Sequence, residues 1–279
     1  MKKIFFIVVT ALWSVMQTLN AQIIDVRVKT EPFTHYWSVG VGAGRANEGL
    51  RAGWLEHLQL VKKNCGFRYV RMHGLFHDDM FVYFRKPDGK VVYNWQYIDE
   101  LYDRMLAIGV KPFVELGFFP KDMAAENSKT QMWWKGYVSV DRNNFGKWHD
   151  LIKAFTQHIV DRYGINEVLT WYFEVWNEPD LTLFFSGNME DYFALYEVTA
   201  HTIKEIDPNL RVGGPATSAC KWLEEFKTFC DENNVPYDFL STHHYPGDAF
   251  GNLLSDRPAG HLRNVAAECV KNKVPLGEA

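Results

Sequence analysis

Beyond residue 35, short runs of apolar residues alternate with longer segments in which apolar residues recur at helical spacing. In segment 50–65, Leu55, Leu58 and Val61 recur every three residues, while Lys62 and Lys63 lie outside this stripe. The short runs predict strands over 36–42, 67–72, 110–116, 168–175, 210–213 and 239–242, with a seventh strand beginning at residue 274. The longer segments predict helices over 50–65, 96–108, 145–163, 189–206, 221–233 and 259–271.

The regular alternation of strand and helix is typical of βα units on a parallel sheet. A doubly wound sheet usually carries a glycine-rich turn after its first strand, and Gly40-x-Gly42-x-Gly44 is a weak match because the last spaced glycine is missing. We favour the α/β fold known as the (β/α)8 TIM barrel. Its active sites lie at the C-terminal ends of the strands, which is where the candidate functional residues of this chain fall.

The number of units is smaller than a closed barrel needs. A barrel takes eight strands and roughly 250 residues, whereas six complete βα units and the start of a seventh fill the chain, because stretches 76–95 and 118–144 read as loops or small hairpins. We therefore expect residues 22–279 to be an incomplete catalytic barrel, truncated in its seventh βα unit.

The N-terminal segment has the pattern of a secretory leader. Lys2 and Lys3 precede an apolar run over 4–16, and Ala21 offers a small residue for cleavage. The run is shorter than the roughly 20 residues that a membrane-spanning helix needs. We expect a signal peptide over 1–21, a secreted or periplasmic protein, and no membrane partner.

Composition excludes some functions and leaves others open. The net charge of −4 gives no basic excess to neutralise phosphates, so a nucleic-acid partner is not expected. Aromatic residues make up 15% of the chain, which suits a well-filled core and equally a cleft that stacks sugar rings. Residues of the types that ligate metals occur at His73, His77, Asp78, Asp79, His243 and His244. The first strand, however, lacks the His-x-His pair of barrel metallohydrolases. We therefore expect no metal and no cofactor.

The most informative acidic residues follow the predicted strand 168–175. Asn177 and Glu178 precede Pro179, which ends the strand and places both side chains at the rim of the sheet. A carboxyl among apolar and Trp residues tends to keep its proton and can act as a general acid. A plain loop carboxylate is the alternative for Glu178, and Glu174, deeper in the strand, reads as a buried structural acid.

Segment 173–181 (FEVWNEPDL) resembles the acid/base strand of glycoside hydrolase family 39, the family of β-xylosidases and α-L-iduronidases. Four further segments resemble motifs of that family in the same order, each at a predicted strand end. These are 69–75 (YVRMHGL), 113–120 (FVELGFFP), 210–216 (LRVGGPA) and 238–246 (DFLSTHHYP). The resemblance covers nearly all of the chain after the leader.

This resemblance implies a retaining mechanism through a covalent glycosyl-enzyme. By match to the motifs, Glu178 is expected to be the general acid/base and Asn177 to bind the 2-hydroxyl of the sugar. His73, His243 and Tyr245 match family positions that line the subsite of the cleaved sugar. Phe118 is a further candidate for substrate binding that could frame the pocket with Trp176, although on periodicity alone either residue is more often part of the core.

The nucleophile departs from the family pattern. The family carries a Glu in a Thr-Glu-Trp context at the end of strand seven, whereas here Pro275 and Leu276 are followed by a glycine and Glu278. Because a nucleophile must be held rigidly, Glu278, one residue from the terminus, is not expected to serve. The 279-residue chain is therefore expected to be a fragment without its nucleophile.

The favoured function is a retaining β-xylosidase-type hydrolase that cleaves terminal xylosyl residues from xylo-oligosaccharides or xylosides. The alternatives are an α-L-iduronidase-like hydrolase, a noncatalytic sugar-binding remnant, and a protein that folds only with a second chain. The oligomeric state stays open.

Overall fold

The computed structural model describes residues 35–131 and 136–245 of the chain. Six parallel strands form one sheet. In their order across the sheet they are β1 Gly40–Arg45, β2 Tyr69–His73, β5 Lys111–Leu116, β8 Tyr172–Val175, β9 Arg211–Ser218 and β10 Phe239–His243. Each sheet strand pairs with the next one along the chain, so the order contains no reversal of the kind that defines a doubly wound fold.

Helices connect the successive sheet strands. They are α1 Ala52–Cys65, α2 Gln96–Ile108, α3 Phe145–Tyr163, the single-turn α4 Ile165–Val168, α5 Met189–Ile206 and α6 Leu223–Asn233. Parallel strands require such crossovers, and their apolar faces cover the outside of the sheet. The three predicted helices 96–108, 145–163 and 189–206 agree with the structure at both ends.

Local signals explain these helix ends. At the start of α5, the Asn188 side chain accepts from the Asp191 N–H while the Asp191 side chain accepts from the Asn188 N–H, forming a capping box. At the end of α2, Gly109 adopts φ 81°, a left-handed conformation that glycine takes without steric cost. Both signals are readable in the sequence.

The long stretches between units form small antiparallel hairpins, as predicted. One pairs β3 Tyr83–Arg85 with β4 Val91–Tyr93, and the other pairs β6 Thr130–Gln131 with β7 Gly136–Tyr137. The predicted strand 168–175 is shorter than expected, because its first residue ends α4 and the strand begins at Tyr172. The predicted strand 36–42 likewise begins as a 3-10 turn at Tyr36–Ser38.

The sheet is strongly curled. Phe113 on β5 and Phe239 on β10 lie three strands apart, a separation of roughly 14 Å in a flat sheet at the usual strand spacing. Their ring centroids are only 5.9 Å apart. The six strands therefore form a half-barrel with a concave inner face, while closure by further strands stays a prediction.

Several predicted features lie outside the described residues. These are the signal peptide 1–21, the helix 259–271, the strand from residue 274, and Glu278. Over the two described ranges, no helix combines the length and apolar character needed to cross a membrane.

Candidate active site

Aromatic side chains fill the lower part of the concave face, toward the N-terminal ends of the strands. The Tyr172 ring lies 5.3 Å from that of Tyr69, 5.5 Å from that of Phe113 and 5.3 Å from that of Phe239. Gly213 makes room for them, because a Cβ there would lie 2.7 Å from the Phe239 ring. We call Tyr69, Phe113, Tyr172 and Phe239 the aromatic layer.

Two residues further along the same strands, the inner face becomes charged. Arg71 Nε lies 2.6 Å from Glu174 Oε2, and Arg71 Nη2 lies 2.9 Å from Glu115 Oε2. The side chains of Glu115 and Glu174 are 0% and 2% exposed, so both carboxylates share one guanidinium away from water. We call Arg71, Glu115 and Glu174 the charged layer, and Glu174 is the buried, hydrogen-bonded acid that the strand pattern predicts.

Mutual attraction keeps Arg71 and Glu115 ionised. Burial raises the pKa of Glu115, but His73 and Arg71 lower this pKa by more than burial raises it. The pKa of Glu115 therefore lies below its ordinary value. Burial lowers the pKa of Arg71, and Glu174 and Glu115 more than offset that effect. The layer therefore presents fixed charges directly beneath the strand ends.

The charged layer orients two predicted substrate-binding residues at the rim. His73 Nδ1 lies 2.6 Å from Glu115 Oε2. Because an ionised carboxylate can only accept, Nδ1 carries the proton. Arg71 Nη2 donates to Asn177 Oδ1 over 3.1 Å, which fixes the amide and leaves its Nδ2 as a donor. A donor amide at this place suits a sugar hydroxyl.

Glu178 lies at the end of the fourth sheet strand and faces the sixth. Its Oε1 is 2.8 Å from His243 Nδ1, with side-chain exposures of 13% for Glu178 and 21% for His243. The Glu178 N–H donates to the Ala216 carbonyl over 2.8 Å. Both Trp176 and Glu178 have positive φ, at 72° and 44°, so the chain turns sharply to present this carboxyl. The carboxyl is thus accessible and held by a histidine.

Two other predicted binding residues lie elsewhere. Phe118 is 0% exposed, with its ring centroid 4.9 Å from that of Trp176 and 5.7 Å from that of His77, so its side chain lies within the core. Tyr245 is 65% exposed, two residues beyond His243. The structure brings together His73, Asn177, Glu178 and His243, whereas the sugar contacts of Phe118 and Tyr245 stay predictions.

Sequence reasoning missed the residues that support the site. Arg71 and Glu115 lie inside the quoted motifs, and a charged residue alternating with apolar ones in a buried strand is the signal that could have found them. His77, considered only as a ligand type, is 1% exposed, and among the described residues neither of its ring nitrogens has a hydrogen-bond partner. Burial lowers its pKa to about 4. Within residues 35–131 and 136–245, no group of His, Cys, Asp or Glu is arranged to hold a metal ion.

A curled parallel sheet with acidic and histidine side chains gathered at its strand ends is the arrangement of (β/α)-barrel catalytic domains. A family model described as "Glycosyl hydrolases family 39" matches residues 22–258. The chain belongs to this family, as the five sequence motifs predict.

Individual relatives agree with this assignment. A β-xylosidase of Geobacillus stearothermophilus is 46% identical over 225 residues, which are 78% of this chain and 44% of that protein. The crystal structure of a monomeric β-xylosidase from Caulobacter crescentus CB15 matches with a TM-score of 0.81 and 38% identity, covering 90% of this chain and 52% of that one. An α-L-iduronidase of Mus musculus is 26% identical over 159 residues, covering 56% of this chain and 23% of that protein. The chain spans about half the length of the β-xylosidases that it matches.

Proposed function

We propose that this protein is a retaining glycoside hydrolase of β-xylosidase type that cleaves terminal xylosyl residues from xylo-oligosaccharides or xylosides. The observation that carries the proposal is the accessible Glu178 carboxyl, hydrogen-bonded to His243 at the C-terminal end of the sheet. The family assignment and the β-xylosidase relatives support the substrate class.

Glu178 is proposed to act twice as the proton carrier. It first donates its proton to the glycosidic oxygen as the leaving group departs, and then, as a carboxylate, takes a proton from the attacking water. The His243 hydrogen bond is made to Oε1, so the other carboxyl oxygen can carry the proton while that hydrogen bond persists. One carboxyl thus serves both steps without moving.

The retaining mechanism also needs a second carboxyl about 5–5.5 Å from the first. Within the described ranges, the buried carboxylates of the charged layer, Glu115 and Glu174, are both paired with Arg71. A carboxylate held in this way is a poor candidate for forming a covalent bond. The proposal therefore takes the nucleophile from outside the described residues.

The charges of the described site favour a neutral sugar over a uronic acid. A uronic acid brings a carboxylate at C5, which calls for a free cation nearby. The Arg and Lys side chains at the described strand ends already face carboxylates: Arg45 pairs with Asp79, Arg71 with Glu115 and Glu174, and Lys221 with Asp180. We therefore propose a xyloside, rather than an iduronide, as the substrate.

The test compares Glu178→Gln with the unchanged protein on two aryl β-D-xylosides that differ in leaving-group acidity. With the poorer leaving group, we expect the variant to be slower by about 10²–10⁴-fold, because this oxygen needs the acid. With the better leaving group, bond cleavage should survive, and added azide should speed turnover, because azide needs no base.

The matched control is Glu190→Gln, which neutralises an exposed acid at the start of α5 and should change neither rate. The same measurements include an aryl α-L-iduronide, whose faster hydrolysis would contradict the proposed substrate. Binding of xylose without hydrolysis of any aryl xyloside would contradict the proposed activity.

A further inference from the structure

We propose that Asp180 is a positioning residue for Glu178, acting through residues 217–221 at the end of β9. This inference rests on the proposed function, because it concerns the residue proposed as general acid/base. Asp180 lies two residues after Glu178 and turns its carboxylate away from that side chain's hydrogen bond to His243. Its carboxylate instead reaches the neighbouring strand end.

The Asp180 carboxylate is buried, and both of its oxygens accept hydrogen bonds. Its Oδ1 accepts from the Ser218 N–H over 2.7 Å, and its Oδ2 accepts from Ser218 Oγ and from Lys221 Nζ, the latter over 3.0 Å. The Asp180 side chain is 1% exposed, whereas that of Lys221 is 46% exposed. Three donors converge on one buried carboxylate, which ties the segment after β8 to residues 217–221, the end of β9 and the turn that follows it.

Residues 217–221 also hold the strand that carries His243. The Cys220 N–H donates to Thr242 Oγ1 over 3.1 Å, and Thr242 Oγ1 donates to the Thr217 carbonyl over 2.9 Å. Thr242 is the residue immediately before His243. Residues 217–221 therefore fix both partners of the Glu178–His243 hydrogen bond, Glu178 through Asp180 and His243 through Thr242.

Backbone conformation explains why such a tie is needed. Residues other than glycine adopt positive φ in both segments, at 72° and 44° for Trp176 and Glu178 and at 51° and 58° for Ala219 and Cys220. Such conformations cost free energy and persist only where surrounding contacts determine them. Without the Asp180 carboxylate, we expect the segment after β8 to relax and Glu178 to move away from His243.

The central variant is Asp180→Ala, compared with Asp180→Asn. The asparagine keeps an acceptor for the Ser218 N–H but places an amide where Ser218 Oγ and Lys221 donate. The matched control is Asp231→Ala, which removes an exposed carboxylate that pairs with Lys227 far along α6 and outside the tie.

Two readouts separate positioning from a general structural role. In Asp180→Ala, we expect kcat for the poor-leaving-group xyloside to fall by about 100-fold, the effect of a misplacement near 1 Å, with KM nearly unchanged. The good-leaving-group substrate should lose much less, and Asp180→Asn should lie between. A uniform loss with both substrates, or no loss, would overturn the proposal.

The second readout needs no turnover. In the ¹⁵N-histidine NMR spectrum of the free protein, the His243 Nδ1 signal, assigned with His243→Gln, should move toward that of a solvated imidazole in Asp180→Ala and stay in place in Asp231→Ala. An unmoved signal would overturn the proposal even if the unchanged protein hydrolysed no xyloside, which would refute only the proposed function. If Asp180→Ala does not fold, Ser218→Ala, which removes one donor to Asp180, carries the same two readouts.

Discussion

The aromatic layer and the charged layer lie two residues apart on β2, β5 and β8, yet they satisfy different physical demands. Tyr69 and Arg71 are neighbours on the inner face of β2, as Tyr172 and Glu174 are on β8. The rings gain free energy by excluding water and packing against one another. The ions beneath the strand ends are tolerated only because each has a partner.

The aromatic layer therefore contributes mainly to the stability of the sheet, whereas the charged layer orients side chains of the site. The aromatic layer draws the curled strands together, since its rings contact one another across four of the six strands. The charged layer gains little net stability from its own burial, but it sets the tautomer of His73 and the amide of Asn177. We therefore expect the two layers to respond differently to substitution.

Removing the central cation should produce the largest effect. Arg71→Met leaves Glu115 and Glu174 buried without their partner, and we expect the free energy of unfolding to fall by about 3–5 kcal/mol. Urea unfolding followed by fluorescence measures this loss. Arg142→Met, which breaks an exposed pair with Asp191, is the control and should lose much less. Equal losses would mean that breaking the buried ion pairs of the charged layer costs no more stability than breaking an ion pair on the surface.

Acidification should act through His77, which lies beside the charged layer but is neutral. Burial lowers its pKa from the ordinary value of 6.5 to about 4. Above pH 6.5 both the folded and unfolded states are neutral at this ring. Between pH 6.5 and 4 only the unfolded state binds the proton, so the free energy of unfolding should fall by about 3 kcal/mol.

Unfolding measured at pH 7 and at pH 4.5 checks this prediction, with His77→Met as the comparison. Asp79, Arg45, Glu115 and His73 act on the His77 ring electrostatically and remain in both proteins, so the difference between the two pH dependences isolates His77. If the two proteins lose stability equally on acidification, His77 is not the group responsible.

In the aromatic layer, Tyr172→Ala should cost less than Arg71→Met. Tyr172 contacts three other rings, but it is only half-buried, so we expect a loss of about 2–3 kcal/mol in the free energy of unfolding. Tyr97→Ala, at an exposed ring on α2, is the control and should change little. A loss larger than that of Arg71→Met would reverse the comparison between the layers.

Removing one hydroxyl from the aromatic layer should have the smallest effect. Tyr69→Phe deletes the hydrogen bond from Tyr69 Oη to the Thr170 carbonyl, 2.9 Å long, and keeps the ring. We expect a loss of about 1 kcal/mol, measured as a lower urea midpoint at unchanged slope. A loss as large as that of Tyr172→Ala would mean that hydrogen bonding, not ring packing, holds this layer.

The sequence by itself determined the features that depend on local spacing. The helices 96–108, 145–163 and 189–206 were readable because their apolar stripes and end signals lie within a few residues. The family followed from motifs at strand ends, including Glu178. The start of the strand predicted at 168 was wrong, because a short apolar run does not distinguish a helical turn from a strand.

The tertiary structure alone decided which polar residues meet. Arg71 and Glu174 are 103 residues apart in the chain, and only the curl of the sheet brings them into contact. The same holds for Glu178 and His243, and for the tie between Asp180 and Ser218. Such pairs have no local signal, because their distance depends on how far each strand twists toward the next, a property of the whole sheet.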